Sequence, residues 1–170
     1  SIYLSLCVHS YPHIPSLPTF CRLPAQLDLS QNYFLAGSLP PELGGLEKLE
    51  YFDVMYNSLT GPIPPEFSGL SSLEVLNVTD NFLDSQLPSE LGLLPLKELI
   101  VSFNYFEGTI PTELSMLDLE FFDLRETDIT GSMPNELCTA DPLVNCENIS
   151  CDASCCSVCA SRFLRQGNHR

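Results

Sequence analysis

Basic residues are scarce in this sequence of 170 residues. Lysine and arginine together number 7 against 22 aspartate and glutamate residues, so the net charge is −15. Residues 23–159 contain all 22 acids but only Lys48, Lys97 and Arg125 as bases, which gives this region a net charge of −19. A protein this acidic repels phosphate backbones and anionic membrane surfaces. We therefore expect no nucleic acid partner.

The sequence also lacks a long hydrophobic run. A membrane helix needs about 20 apolar residues, and the most apolar window, LGLLPLKELIVSF, is interrupted by Lys97 and Glu98. We therefore expect no membrane span in this chain. The opening SIYLSLCV is apolar but short. It is either the remnant of a signal peptide or a start within a longer protein.

Histidine is missing from the middle of the chain, since His9, His13 and His169 lie near its ends. This absence excludes a Ser/His/Asp arrangement in the central region. The chain also has no Gly-rich phosphate loop with a following lysine. The sequence therefore predicts a protein that is not an enzyme and that needs no cofactor.

Cysteine is absent between Arg22 and Leu137, and this region is built from internal repeats. Five segments share the frame L-x-x-L-x-L-x-x-N-x-L-x-G-x-I-P-x-E-L, as in LEYFDVMYNSLTGPIPPEF. Their prolines recur every 23 or 24 residues, at Pro40, Pro64, Pro88, Pro111 and Pro134. A repeat of this length predicts a solenoid of stacked units.

Each constant position of the frame has a structural reason. Alternating apolar residues, as in FDV and LNV, predict a short strand with one buried face, and stacked copies would form a parallel sheet. The proline predicts the start of a short helix or turn on the opposite side. The recurring glycine predicts an unhindered turn, with Ser85 as the exception: Gly37, Gly61, Gly108 and Gly131.

An asparagine follows each of the first four strands, and we expect these asparagines to form a buried ladder. Their amides can satisfy backbone groups of neighbouring turns that have lost contact with water. The ladder comprises Asn32, Asn57, Asn81 and Asn104, with Thr127 at this position in the fifth repeat.

Glutamate occupies one slot in every repeat: Glu42, Glu66, Glu90, Glu113 and Glu136. Stacked carboxylates could form a stripe that binds divalent cations. Alternatively, each glutamate lies in the first turn of a short helix, where negative charge is stabilised by about 0.3–1 kcal/mol. The slot comes just after the proline, which favours the helix interpretation.

The frame resembles the plant-type leucine-rich-repeat family over about residues 27–137. The resemblance implies an α/β repeat solenoid, a right-handed arc with a concave parallel β-sheet, convex short helices or turns, and a Cys-rich C-terminal cap. Members of this family serve as extracellular parts of receptors and as secreted inhibitors. The tail CDASCCSVC resembles the Cys-rich ends of algal plant-type repeat proteins. The Trp-containing N-terminal cap with paired cysteines found in plant receptors is missing.

Variable strand positions that face outward from the concave sheet form the candidate binding surface. Aromatic side chains ringed by acids are typical of a recognition surface. The predicted apolar anchors are Tyr51, Met55, Tyr56, Ile100, Phe103 and Phe121. The predicted charged contacts are Asp53, Asp80, Asp123 and Arg125. The three acids would select a basic or hydroxyl-rich partner. The alternative is that these aromatics are ordinary surface residues and that a partner binds elsewhere.

Two unlike ends flank the repeats. Residues 1–26 predict an atypical or truncated N-terminal cap with a degraded half-repeat, and residues 160–170 predict a basic flexible tail. Residues 138–159 predict a disulfide-rich cap on the apolar edge of the last repeat. Six cysteines allow 15 pairings in this cap: Cys138, Cys146, Cys151, Cys155, Cys156 and Cys159. Cys7 and Cys21 are a possible further pair.

Zinc is the alternative to disulfides at both ends. CCSVC contains a C-x-x-C pair, but no histidine lies nearby. The possible N-terminal ligands are Cys7, His9, His13 and Cys21. The disulfide interpretation implies an oxidising compartment, and Asn-x-Ser/Thr sites at Asn77 and Asn148 predict glycosylation there. We therefore expect a secreted or cell-surface protein without a bound metal.

These features predict a non-catalytic extracellular recognition module that binds a protein or peptide ligand through its concave sheet. The module would be a receptor-like ectodomain fragment in signalling or a secreted repeat protein. One alternative is an inhibitor of an extracellular carbohydrate-active enzyme, similar to polygalacturonase inhibitors. The other is a structural or adhesive cell-wall protein.

Overall fold

The computed structural model describes residues 25–134, Leu137 and residues 143–145. All eight cysteines lie outside the described residues. The predicted disulfide cap, the possible Cys7–Cys21 pair and both zinc alternatives therefore lie outside them too. The same holds for the predicted glycosylation site Asn148 and for the basic tail.

The repeat frame produces the predicted concave parallel sheet, in the order β1-β3-β5-β7-β9-β11. Its strands are β1 (Gln26–Asp28), β3 (Tyr51–Asp53), β5 (Val75–Asn77), β7 (Glu98–Ile100), β9 (Phe121–Asp123) and β11 (Leu143–Asn145). The pairing is in register, so that the central residues of neighbouring strands lie side by side: Phe52, Leu76, Leu99 and Phe122. These side chains are fully buried, as the alternating pattern predicts.

The concave sheet is one strand longer than five repeats would provide. β11 pairs in parallel with β9, with Leu143 opposite Phe121 and Asn145 opposite Asp123. This strand lies within the segment that the sequence analysis interprets only as a disulfide-rich cap. Residues 143–145 thus cover, by backbone pairing, the edge of the last repeat, where the sequence predicts a cap but not a strand.

A second parallel sheet, in the order β10-β8-β6-β4-β2, follows the ladder asparagines and was not predicted from the sequence. Its strands are β2 (Ala36–Gly37), β4 (Ser58–Gly61), β6 (Phe82–Gln86), β8 (Tyr105–Thr109) and β10 (Asp128–Thr130). The predicted turn residues still have left-handed backbones, as at Gly61 with φ of 79° and Ser85 with φ of 71°. They bend strands that are already paired.

Short 3-10 helices complete the repeats on the convex side, as the prolines predict. They are η1 (Pro41–Gly45), η2 (Pro65–Gly69), η3 (Ser89–Leu93) and η4 (Thr112–Met116). A proline precedes each of them at the N-cap, where a missing backbone N–H costs nothing. Within the described residues, no helix is long and apolar enough to cross a membrane.

The core lies between the two sheets and the 3-10 helices. Phe52 of β3 and Phe67 of η2 pack edge to face, with ring centroids 6.1 Å apart and planes inclined by 62°. Leucine, isoleucine and valine side chains of successive repeats continue this core along the stack. Each fully buried side chain of this size stabilises the fold by roughly 1.5–3 kcal/mol.

Candidate functional site

The outward face of the concave sheet is where the sequence analysis places ligand binding. Each strand turns its middle residue, such as Phe52, into the core and its flanking residues outward. Among the predicted anchors, Tyr56 and Phe103 are the most exposed, at 41% and 45%. The other four predicted anchors are partly buried: Tyr51, Met55, Ile100 and Phe121.

The residue directly before each ladder position has a left-handed backbone. Its φ lies between 52° and 58° at Gln31, Tyr56, Asp80, Phe103 and Glu126. A left-handed conformation costs roughly 1–2 kcal/mol for a residue with a side chain and is rare for bulky ones.

Backbone hydrogen bonds to the next repeat hold this conformation. The N–H of Tyr56 donates to the carbonyl of Thr79 at 3.0 Å, and the N–H of Phe103 donates to the carbonyl of Arg125 at 2.8 Å. The stack therefore presents two aromatic side chains in fixed positions despite a conformational cost.

Tyr56, Asp80 and Phe103 occupy the same slot in three successive repeats, and we call them the rim trio. Neighbouring strands of a sheet lie about 4.8 Å apart, so the exposed Asp80 side chain lies between the two aromatic positions. A carboxylate between aromatic rings is suited to a cation, because the rings and the carboxylate both attract positive charge.

Asp53 does not contact solvent as predicted, because it is only 3% exposed. Its carboxylate accepts hydrogen bonds from the Tyr51 hydroxyl at 2.9 Å and the Met55 N–H at 2.8 Å. It also accepts one from Asn77 Nδ2 at 3.0 Å. Asp53 is therefore a structural acceptor in the described chain, and glycosylation of Asn77 would require that amide to leave its buried position.

Asp123 is likewise buried, at 2% exposure, and not available as a direct contact. Arg125 donates from Nη2 to Asp123 Oδ2 at 2.6 Å and from its backbone N–H to Asp123 Oδ1 at 3.1 Å. The guanidinium carbon of Arg125 also lies 5.9 Å from the ring centroid of Phe103. Asp123 thus positions Arg125 beside one member of the rim trio.

The pKa of Tyr51 reflects both its burial and the carboxylates around it in the concave sheet. Burial raises the pKa of Tyr51 to about 12, and the hydrogen bond to Asp53 adds to this shift. The negative charges of Asp53, Asp28 and Glu98 contribute in the same direction. A phenolate is disfavoured here chiefly because the hydroxyl is buried, and the nearby carboxylates add to this effect.

The asparagine ladder is formed by shared backbone acceptors. Asn81 Nδ2 donates to the carbonyls of Val54 at 2.9 Å and Val78 at 3.1 Å, and Asn81 Oδ1 accepts from Leu59 N–H at 3.0 Å. The Val54 carbonyl also accepts from Asn57 Nδ2 at 2.7 Å. Asparagine side chains of neighbouring repeats thus donate hydrogen bonds to the same backbone carbonyl groups.

The ladder is incomplete at Asn57, whose Oδ1 is buried without a hydrogen-bond partner in the described part of the chain. The equivalent donor would be the N–H of Leu35, but this group donates to the Asn32 carbonyl instead. The first repeat has one more residue between its asparagine and its glycine than the second repeat has. This insertion redirects Leu35 and leaves the acceptor unpaired.

The recurring glutamates lie in the first turns of the 3-10 helices, at Glu42, Glu66, Glu90 and Glu113. This position agrees with the helix interpretation of the glutamate slot. Among the described residues, no group of three or more histidine, cysteine, aspartate or glutamate side chains could hold a metal ion.

The exposed aromatic residues of the second sheet are not among the predicted site residues. Phe82 and Tyr105 are 49% and 57% exposed and stack on each other. Both follow a ladder asparagine directly in the sequence. That recurrence is the signal that could have identified them.

The repeats match a known family. The family described as Leucine Rich Repeat matches residues 48–70, 72–94 and 95–117. No curated protein matches the sequence.

Solved structures of plant receptors have the same fold. The ectodomain of the receptor kinase GASSHO1/SCHENGEN3 from Arabidopsis thaliana, in complex with CASPARIAN STRIP INTEGRITY FACTOR 2, matches with a TM-score of 0.67 and 29% identity over 79% of this chain and 17% of that chain. The Arabidopsis receptor kinase HAESA, in complex with the peptide hormone IDA and the co-receptor SERK1, matches with a TM-score of 0.61 and 30% identity over 75% of this chain and 26% of that chain.

A third match is the crystal structure of a TDR receptor, with a TM-score of 0.62 and 35% identity over 69% of this chain and 20% of that chain. The match thus spans only about a quarter or less of each of these three structures. The repeat frame, the parallel sheets and these similarities together place the chain in the plant-type leucine-rich-repeat family.

Proposed function

We propose that this protein is a non-catalytic, extracellular recognition module that binds a protein or peptide ligand through its concave sheet. The observation that carries the proposal is the rim trio, in which two exposed aromatic side chains occupy strained, left-handed positions. The fold does not require aromatics there, because Gln31 and Glu126 occupy the same slot in other repeats. The left-handed backbone belongs to every repeat, so what binding explains is the aromatic side chain that stays exposed at two of these five positions.

The similar receptors support the same proposal. Two of the three compared structures are complexes, one of them with a peptide hormone. Because those receptors are far longer than this chain, their ligands are not assigned to it. The proposal takes from them only the class of ligand, a protein or peptide, and the extracellular setting.

The chemistry of the rim trio favours a ligand with a lysine, an arginine or a free amino group. Of the three predicted acidic contacts, only Asp80 is exposed, and it lies between the Tyr56 and Phe103 positions. Arg125 already lies over the Phe103 ring, so the cation of a ligand is expected at Tyr56 and Asp80, where a cation over an exposed ring gains about 0.5–1 kcal/mol. The net charge of −15 would also speed the approach of a basic ligand.

The experiment uses the full chain to capture its ligand from extracellular fluid and then measures the affinity of that ligand by calorimetry. The test variant is Tyr56→Asn combined with Phe103→Asn, because asparagine tolerates the left-handed backbone. The control is Met116→Asn, at an apolar side chain that is 67% exposed on the convex side. We expect the double variant to bind at least about tenfold more weakly, as for interface hot spots, and the control to bind like the parent.

Equal affinity of the double variant and the parent would contradict the concave site. A ligand that binds equally well to Asp80→Asn and shows no salt dependence would contradict the cationic chemistry but not the site. No described feature favours the carbohydrate-active enzyme inhibitor or the cell-wall protein, so neither is proposed.

A further inference from the structure

The outer face of the second sheet carries exposed aromatic residues that the concave-site proposal does not use. We call this face the flank surface and define it by Phe82, Tyr105, Asp84, Glu107 and Asp128. The two rings are about half exposed, and the three acids are exposed as well. Large apolar side chains exposed next to each other mark interaction sites more often than isolated ones do.

The fold does not need aromatic rings at these positions. Phe82 and Tyr105 each follow a ladder asparagine, and the equivalent residue of the second repeat is Ser58. Neither ring enters the core, because the adjacent Leu83 and Phe106 are the fully buried residues of their strands. The exposed rings are therefore not explained by stability.

The two rings form a preorganised pair. Their centroids lie 6.2 Å apart and their planes are inclined by only 19°, so they stack along the solenoid. Stacked rings restrain each other before any ligand arrives, which lowers the entropy that binding would cost.

Every charge on the flank surface is negative, since the five strands of the second sheet contain no lysine or arginine. The strand register places Glu107 directly opposite Asp128 and Asp84 opposite Tyr105. Like charges directly opposite each other on neighbouring strands are destabilising. A paired cation from outside would convert this repulsion into attraction.

We propose that the flank surface is a second protein-binding site, for an extended partner segment in which an apolar side chain lies next to lysine or arginine. The apolar side chain packs against the Phe82–Tyr105 pair, and the basic side chain binds the Glu107 and Asp128 carboxylates. The partner chemistry follows from charge complementarity and from the apolar ridge beside it. This site is separate from the rim trio and does not depend on the concave-site proposal.

The test measures the fluorescence anisotropy of labelled peptides added to the full chain. The probe is a ten-residue peptide of alternating lysine and leucine, and the matched control peptide replaces every leucine with serine. We expect saturable binding of the probe, and at least tenfold weaker binding of the control peptide. Binding of both peptides with the same affinity would show that the interaction is nonspecific electrostatic attraction, and it would overturn the proposal.

Variants locate the binding. Phe82→Ser combined with Tyr105→Ser reproduces the side chain of Ser58 on exposed positions and should weaken probe binding at least tenfold. Glu107→Gln combined with Asp128→Asn should weaken binding and flatten its salt dependence. Met116→Asn, on the convex side and in neither site, should leave probe binding unchanged. Weaker probe binding to Tyr56→Asn combined with Phe103→Asn, with parent-like binding to both flank variants, would place the probe at the rim trio and overturn the proposal.

Two further outcomes would overturn the proposal. One is the absence of saturable probe binding to the parent. The other is probe binding that appears only after the charge of the chain's own basic tail is reversed by Arg162→Glu and Arg165→Glu. RFLR in this tail has the same composition as the proposed partner segment. That outcome would assign the flank surface to the chain's own tail rather than to a partner.

Discussion

At the scale of single residues, the asparagine ladder links neighbouring repeats through carbonyl groups that accept from two asparagines at once. The carbonyl of Val78, for example, accepts from Asn81 Nδ2 at 3.1 Å and from Asn104 Nδ2 at 2.9 Å. Loss of one asparagine therefore leaves such a carbonyl with a partner. The groups at risk are the backbone N–H groups that only an asparagine Oδ1 satisfies.

This difference predicts unequal effects of two matched substitutions. Asn81→Ala removes the acceptor of the buried Leu59 N–H, whereas Asn57→Ala removes an Oδ1 that has no partner among the described residues. An unsatisfied buried N–H costs about 1–3 kcal/mol. We expect Asn81→Ala to lower the free energy of unfolding by that amount more than Asn57→Ala, measured by urea denaturation. Equal losses would contradict the unpaired state of Asn57 Oδ1 in the second repeat.

Tyr51 provides a prediction about pH. Its pKa is about 12 in the folded chain against an ordinary value of 10.0. The unfolded phenol therefore loses its proton first, and the stability that Tyr51 contributes is present below pH 10 and is lost as the pH rises from about 10 to about 12. We expect Tyr51→Phe to remove one phenolate transition near pH 12 from the ultraviolet absorbance titration. Asp53→Asn should move that transition to lower pH, and an unshifted transition would contradict the contact.

At the scale of elements, the 3-10 helices stack closely because glycine lies at their contacts. A Cβ on Gly44 of η1 would overlap the carbonyl oxygen of Glu66 in η2. The neighbouring Gly45 faces open space, with nothing within 4 Å of an added Cβ. Two adjacent glycines thus have different roles, one in packing and one without a contact.

Alanine substitution separates these two roles. Gly44→Ala should destabilise the protein by about 1–3 kcal/mol, as overpacking against a backbone does. Gly45→Ala should leave stability unchanged or raise it by less than about 1 kcal/mol, because it restricts only the unfolded chain. The midpoints of thermal unfolding of the two variants provide the comparison. A smaller loss for Gly44→Ala than for Gly45→Ala would contradict the stacking.

Sequence periodicity predicted the elements that one repeat determines by itself. The strand that buries Phe52, the helix start after Pro64 and the first-turn Glu66 all follow from the pattern within a single copy. The second sheet and β11 could not be predicted in this way, because each depends on pairing between copies. The residues from Ser58 to Gly61 form a strand only where the neighbouring repeats supply partners.

The same limit applies to the candidate site. Alternation correctly placed Tyr56 and Phe103 outside the core. It could not reveal that Asp53 and Asp123 are covered, since neighbouring side chains, Tyr51 and Arg125, provide the hydrogen bonds that occupy them. Nor could it reveal the left-handed backbone of the rim trio, which hydrogen bonds to the next repeat hold in place.

At the scale of the whole molecule, the stack of repeats separates a core of leucine and phenylalanine from two aromatic surfaces on different faces. The rim trio lies at the edge of the concave sheet and the flank surface on the second sheet. Both combine aromatic rings with carboxylates, in a chain whose net charge is −15. Basic partners are therefore expected at both, and their binding should weaken as salt screens these charges.

The central claim, that the concave sheet contacts the ligand, is tested most directly by hydroxyl-radical footprinting of the full chain with and without its captured ligand. We expect oxidation of Met55, Tyr56 and Phe103 to fall when the ligand binds, while oxidation of Met116 on the convex side does not change. Protection of Met116 with unchanged oxidation of Tyr56 and Phe103 would contradict it.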